Sequence, residues 1–131
     1  MGEIKQTVPD NQPSVQIGLF DIADTPELAY FAVKAYSDIY KHNMTEEQIK
    51  QQVMDEQWVQ KFEQAATTDI ILVAKANSVI MGYIQFGDPD PTEEEPLPPN
   101  TKELRKLYVS PEMHGRGVGP QLMEAALATS A

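Results

Sequence analysis

Residues 70–76 read IILVAKA and 79–86 read VIMGYIQF, two apolar runs rich in β-branched residues and separated only by Asn77-Ser78. A two-residue spacer joins strands as an antiparallel hairpin, since a parallel return needs a crossover of a dozen or more residues. The first run marks a central strand. Gly82, inside the second, predicts a bulge or a close approach of another backbone. At 131 residues the chain fits one domain, so the other elements must pack on this hairpin.

Those elements can be read from their periodicity. Val15, Ile17 and Leu19 alternate with polar or small residues and predict a strand over 15–20. Asp24, Pro26 and Glu27 form a capping-box pattern that opens a helix over 25–41, with an apolar stripe of Leu28, Phe31, Ala32, Ala35, Tyr36 and Ile39. Thr45 and Gln48 repeat the pattern and open a second helix, whose stripe is Ile49, Val53, Met54, Trp58 and Phe62. That stripe reads as core packing. LRKLYV at 104–109 is a further strand, with Leu104, Lys106 and Tyr108 on one face and Arg105, Leu107 and Val109 on the other. From Val118 onward, Leu122, Ala125, Ala126 and Ala128 line one face of a last helix.

Two stretches fall outside this pattern. Residues 1–14 are polar, carry Pro9 and Pro13, and read as a flexible leader to a domain over 15–131. Residues 87–101 form an acidic, proline-rich loop, with five prolines and five acids between Asp88 and Pro99. The formal net charge of −10 opposes nucleic acid and favours a cationic partner. With no cysteine, zinc–thiolate sites and thiol nucleophiles are excluded, and no metal site is expected. No apolar run approaches membrane-spanning length and the N-terminus lacks signal-peptide features, so no membrane association and a cytoplasmic location are expected.

Gly115, Gly117 and Gly119 stand between the strand ending at Val109 and the helix from Val118. Glycine costs helix stability, so three within five positions serve either a turn or a ligand. A helix start offers unpaired N–H groups and a partial positive charge, which together suit an anion such as phosphate. The spacing is wrong for a dinucleotide fingerprint, whose sixth position here is Pro120, and for a Walker A loop, because Gly119 is followed by Pro120 and Gln121.

The stretch YVSPEMHGRGVGPQLM resembles the coenzyme A binding motif of the GCN5-related N-acetyltransferase (GNAT) family. His114 stands where the family has Gln or Arg, Arg116 at its variable basic position, and Gly117 and Gly119 at its two small positions. The resemblance implies an α/β (α+β) fold, a mixed and mostly antiparallel sheet flanked by helices, here without the C-terminal strands and helix of the family. It implies acetyl-CoA as cofactor, the amides of Gly115, Arg116, Gly117, Val118 and Gly119 and the turn to Pro120 on the pyrophosphate, and the backbone of Leu107 and Val109 on the pantetheine. It implies direct attack by an amine acceptor, a small molecule or peptide, with Glu103 as the general base. The thiolate-protonating tyrosine of the family has no counterpart in this chain. The alternative is a non-catalytic coenzyme A binding or assembly module. On either reading the strand at 103–109 has an open edge, for which a copy of the chain or a complementing C-terminal fragment is the expected cover.

Overall fold

The computed structural model describes residues 15–40, 44–89, 98 and 101–130. The elements are β1 (Val15–Leu19), α1 (Thr25–Tyr40) behind a 3-10 turn, α2 (Glu46–Asp55), α3 (Trp58–Thr68), β2 (Ile70–Ala76), β3 (Val79–Gly87), β4 (Glu103–Val109), a second 3-10 turn (Pro111–Met113) and α4 (Val118–Ser130). The strands lie in sequence order, each antiparallel to the next. The leader predicted over 1–14 and most of the loop predicted over 87–101 lie outside the described residues; Gly87 itself extends β3.

Asn77 and Ser78 close the β2–β3 hairpin with φ of 52° and 67°. Positive φ at both central positions is the type I′ geometry, whose twist matches that of paired strands. The sheet is covered on both faces. On one, Val118, Leu122 and Ala126 of α4 pack with Met113 on Leu72, Ala74, Ile84 and Phe86. On the other, Leu28, Ala29 and Ala32 of α1 and Phe62 of α3 meet Ile71, Val73, Ile80 and Tyr83. Ile80 and Tyr83, three apart, share a face because the β2–β3 register shifts beside Ala74.

Several local expectations are corrected. The helix expected from Thr45 is two helices, broken where Gln57 adopts φ 54° and ψ 42°. At about 100° per residue, an unbroken helix would place Trp58 and Phe62 roughly opposite Ile49 and Val53. The break turns the second pair back to the core, where Phe62 is buried, while Met54 is left 72% exposed. The box at Thr45 and Gln48 is present with both reciprocal bonds. The one at Asp24 and Glu27 is not. The hairpin recruits both carboxylates, Asp24 accepting from Lys75 Nζ at 2.8 Å and Glu27 from the Ile80 amide at 2.8 Å, while Asp21 caps the 3-10 turn. On α1 the buried stripe is Leu28, Ala29, Ala32, Val33 and Ala35, leaving Tyr36 and Ile39 exposed; on α4, Ala128 is exposed as well.

β4 also departs from plain alternation. Gln85 pairs with Lys106 and Phe86 with Leu104, so Arg105 is the extra residue of a bulge. Leu104 therefore moves to the α4 side beside Phe86 and Met123, while Lys106 stays on the helical side with its Nζ over the Trp58 ring. Arg105 turns to Asp69, donating from Nε at 3.1 Å, and also bonds Glu103. Gln85 Nε2 donates to the same Asp69 carboxylate at 2.7 Å. Burial alone would raise the Asp69 pKa, but the hydrogen bonds from Gln85 and Arg105 and the Arg105 charge outweigh it and hold the group below its ordinary 3.8. A depressed carboxyl contributes its stability in full above the unfolded-state value and loses it as pH falls through the folded one. Asp69→Asn should therefore flatten the decline of stability in urea titrations stepped down from pH 5 to pH 2. An acid limb as steep as that of the parent chain would show that Asp69 carries no pH-linked stability.

Candidate functional site

The site begins where β4 leaves the sheet. Ser110 N donates to Met81 O at 2.7 Å, which continues the ladder one step past β4. Hydrogen-bonded and non-hydrogen-bonded pairs alternate in an antiparallel ladder, so Leu107 and Val109 turn their N–H and C=O groups away from β3. Among the described residues no strand pairs with that side of β4. Gly82 permits the close fit behind it, since a Cβ there would stand 3.0 Å from Tyr108 O and 3.4 Å from a Leu122 methyl. The expected close approach and the expected bulge are thus neighbours in β3.

Beyond β4 the chain makes the short turn at Pro111–Met113 and passes through Gly115 and Gly117 at φ 81° and 78° before α4 starts. These left-handed values strain any residue with a Cβ, which is why glycine stands at both. His114 N bonds Pro111 O, Arg116 N bonds Met113 O, and Gln121 N reaches back to Gly117 O. The amides of Gly115, Gly117, Val118 and Gly119 have no backbone acceptor among the described residues. Pro120 has no N–H to satisfy and suits the first turn.

These amides border a groove of about 410 Å³ that also takes in Leu107, Val109, Met113 and His114. No acidic side chain lines it, in a chain whose net charge is −10. The partial charge of the α4 start is therefore unopposed locally. His114 departs from the Gln or Arg of the motif and bonds backward, its Nε2 donating to Val109 O at 2.9 Å. The ring thereby braces the turn against the end of β4 and occupies one outward carbonyl. The Arg116 side chain is exposed and does not line the groove.

A second cavity, of about 480 Å³, opens on the α1 side of the same strand end. Glu27, Lys34 and Asp38 of α1 face Ser110 and Glu112 across it, and its aromatic wall is Tyr30, Phe31 and Tyr108. Tyr108 borders both spaces. Its ring meets Phe31 edge-on at 5.4 Å, and burial together with the Asp38 charge raises its pKa. Tyr83 lines neither space; burial pushes its pKa up to about 12 and it packs between Phe31 and Phe62. The structure does not bring Glu103 to either cavity. Glu103 pairs with Gly87 at the far end of β4, about 20 Å along the strand from Val109, and its carboxylate is bonded to Arg105.

The architecture is an antiparallel sheet whose last described strand passes through a glycine turn into a helix, with a groove at the strand's open edge and a cavity on its other side. The chain belongs to the acetyltransferase (GNAT) family, whose profile matches residues 28–131. Among solved structures it is similar to PaiA N-acetyltransferase from Thermoplasma acidophilum in complex with coenzyme A, at 22% identity and a TM-score of 0.66, covering 89% of this chain and 72% of that one. A GNAT family acetyltransferase from Brucella melitensis in complex with acetyl-CoA gives 20%, 0.60, 91% and 70%. The Escherichia coli GNAT family N-acetyltransferase YhbS in complex with CoA gives 18%, 0.62, 95% and 60%. At these identities the likeness is one of fold, and the chain spans 60–72% of the length of these three proteins. No curated protein matches the chain.

Proposed function

We propose that this chain is the coenzyme A binding portion of an acyl-coenzyme A dependent N-acetyltransferase that acetylates an amine by direct attack. The observation that carries the reading is the set of four amides without backbone acceptors, at Gly115, Gly117, Val118 and Gly119, beside the open edge of β4. The residues fit the cofactor. A diphosphate needs convergent donors and little bulk, and the turn supplies N–H groups, no nearby carboxylate and open space around the Cβ position of Gly115. The outward groups of Leu107 and the N–H of Val109 suit the amides of a pantetheine arm, as a strand edge suits any extended amide chain.

When bound, the coenzyme supplies an activated acyl thioester. In net terms the reaction forms an amide N–C bond, breaks the C–S bond and moves one proton from the amine to the sulfur. The part of this chain is to hold the two reactants on either side of Tyr108 and to exclude competing water, which is catalysis chiefly by proximity and orientation. Coenzyme A at a hundred times its dissociation constant should raise the melting temperature of the chain by about 10 °C. Titration calorimetry should give one site per chain. An unmoved melting curve with no heat of binding would remove the proposal.

A further inference from the structure

We infer that His114 couples coenzyme A binding to proton uptake, so that the chain holds the coenzyme more tightly as pH falls through the histidine range. The inference rests on the coenzyme A reading above and concerns how that same site is regulated.

The geometry fixes the tautomer. His114 Nε2 lies 2.9 Å from Val109 O, and a carbonyl oxygen only accepts, so Nε2 carries a hydrogen whether the ring is neutral or charged. Nδ1 is then the nitrogen that takes up a proton. Uptake there leaves the brace between the turn and β4 in place and makes its hydrogen bond charge-assisted. It also adds a positive charge to a ring that lines the groove beside Gly115, Gly117, Val118 and Gly119. A Gln or Arg at this position would keep one charge throughout, whereas histidine is the side chain that changes charge between pH 5 and 8.

Little else near the ring changes charge in that range. On β4, Tyr108 borders the groove, and burial with the Asp38 charge raises its pKa further above the range. In the turn, Glu112 lines the opposite cavity and accepts from Ser110 Oγ at 3.3 Å, and Arg116 is exposed outside the groove. From α4 no ionisable side chain lines the groove, the first along the helix being Glu124. A diphosphate held at the free amides therefore favours the charged ring, and by reciprocity the charged ring favours the diphosphate. The added affinity is present in full below the titration midpoint of the free ring. It is lost as pH rises through the midpoint of the ring in the complex.

The test is calorimetric titration of the 131-residue chain at steps from about pH 8 to about pH 5.5. The probe is 3′-dephospho-coenzyme A, because the phosphate monoester of coenzyme A itself titrates near pH 6 and a diphosphate diester does not. The dissociation constant should fall about fivefold over this range, and by less at high salt. His114→Gln can still donate to Val109 O but cannot gain a charge, and its dissociation constant should stay within about twofold over the same range. NMR gives a second reading. The variant identifies the His114 ring signal by its absence, since the chain has one other histidine, His42. On saturation with the probe the His114 midpoint should move upward by the logarithm of the ratio that calorimetry finds.

An affinity of the parent chain that does not change with pH, a His114→Gln variant with the same slope as the parent, or a ring midpoint unmoved by the probe would overturn the inference while leaving the coenzyme site intact. Absence of binding at every pH would remove both the inference and the function on which it rests.

Discussion

Gly117→Asp is expected to weaken coenzyme A binding by about a hundredfold or more, while Gly117→Asn weakens it only several-fold. The two side chains have nearly the same shape, and both tolerate the left-handed region better than other residues with a Cβ. Gly117 sits there at φ 78°, and the nearest atom to an added Cβ, Gln121 Nε2, is 3.7 Å away, so neither side chain is excluded by contact. What separates them is charge. A carboxylate placed at the start of α4 stands beside the four amides that have no backbone acceptor among the described residues. At an effective dielectric constant of about 20, two unit charges about 5 Å apart interact by roughly 3 kcal/mol, enough for a hundredfold change. The carboxylate can also occupy the donors itself. Calorimetric titration of both variants against the parent chain decides the matter, and equal losses for Asp and Asn would mean that the turn does not meet an anion.

Leu122→Ala is expected to cost about 2–5 kcal/mol, the range for emptying a fully buried leucine site. Leu122 is 0% exposed and joins α4 to the sheet over Gly82, where its methyl would lie 3.4 Å from a Cβ. The consequence reaches the site because α4 carries the turn at its N-terminus. A helix less firmly seated presents its first amides in a spread of positions, so affinity for coenzyme A should fall along with stability. Leu122→Met conserves volume and should cost less than about 1.5 kcal/mol. Chemical denaturation followed by cofactor titration of the two variants reads both effects. A stable Leu122→Ala variant would show that α4 is held by contacts other than this one.

What could be read from the sequence was local. The hairpin follows from two apolar runs and a two-residue spacer, and the turn at 115–119 follows from glycines placed between a strand and a helix. Each signal lies within about ten residues and has a backbone cause. The features that were not legible depend on distant partners or on register. Asp24 and Glu27 have the right spacing for a cap, and nothing near them shows that Lys75 and Ile80 will engage them instead. The bulge at Arg105 accompanies its contact with Asp69, 36 residues earlier, and places Leu104 on the other face of β4. The resemblance implies Glu103 as general base, whereas the two cavities described above lie at the other end of β4. One error had an available signal. Ile49 and Val53 cannot share a straight helix face with Trp58 and Phe62, so the angular spacing alone called for the break that occurs at Gln57. That Tyr108 borders both spaces had no local signal, since only the folded chain creates them.

The alternation of hydrogen-bonding groups along β4 also restricts how the domain can be extended. A polypeptide stitched to this border over its full length would consume the outward groups of Leu107 and Val109 and roof the groove. On the function proposed above, a neighbour on this border would pair near Glu103 and leave the outward groups of Leu107 and Val109 to the ligand.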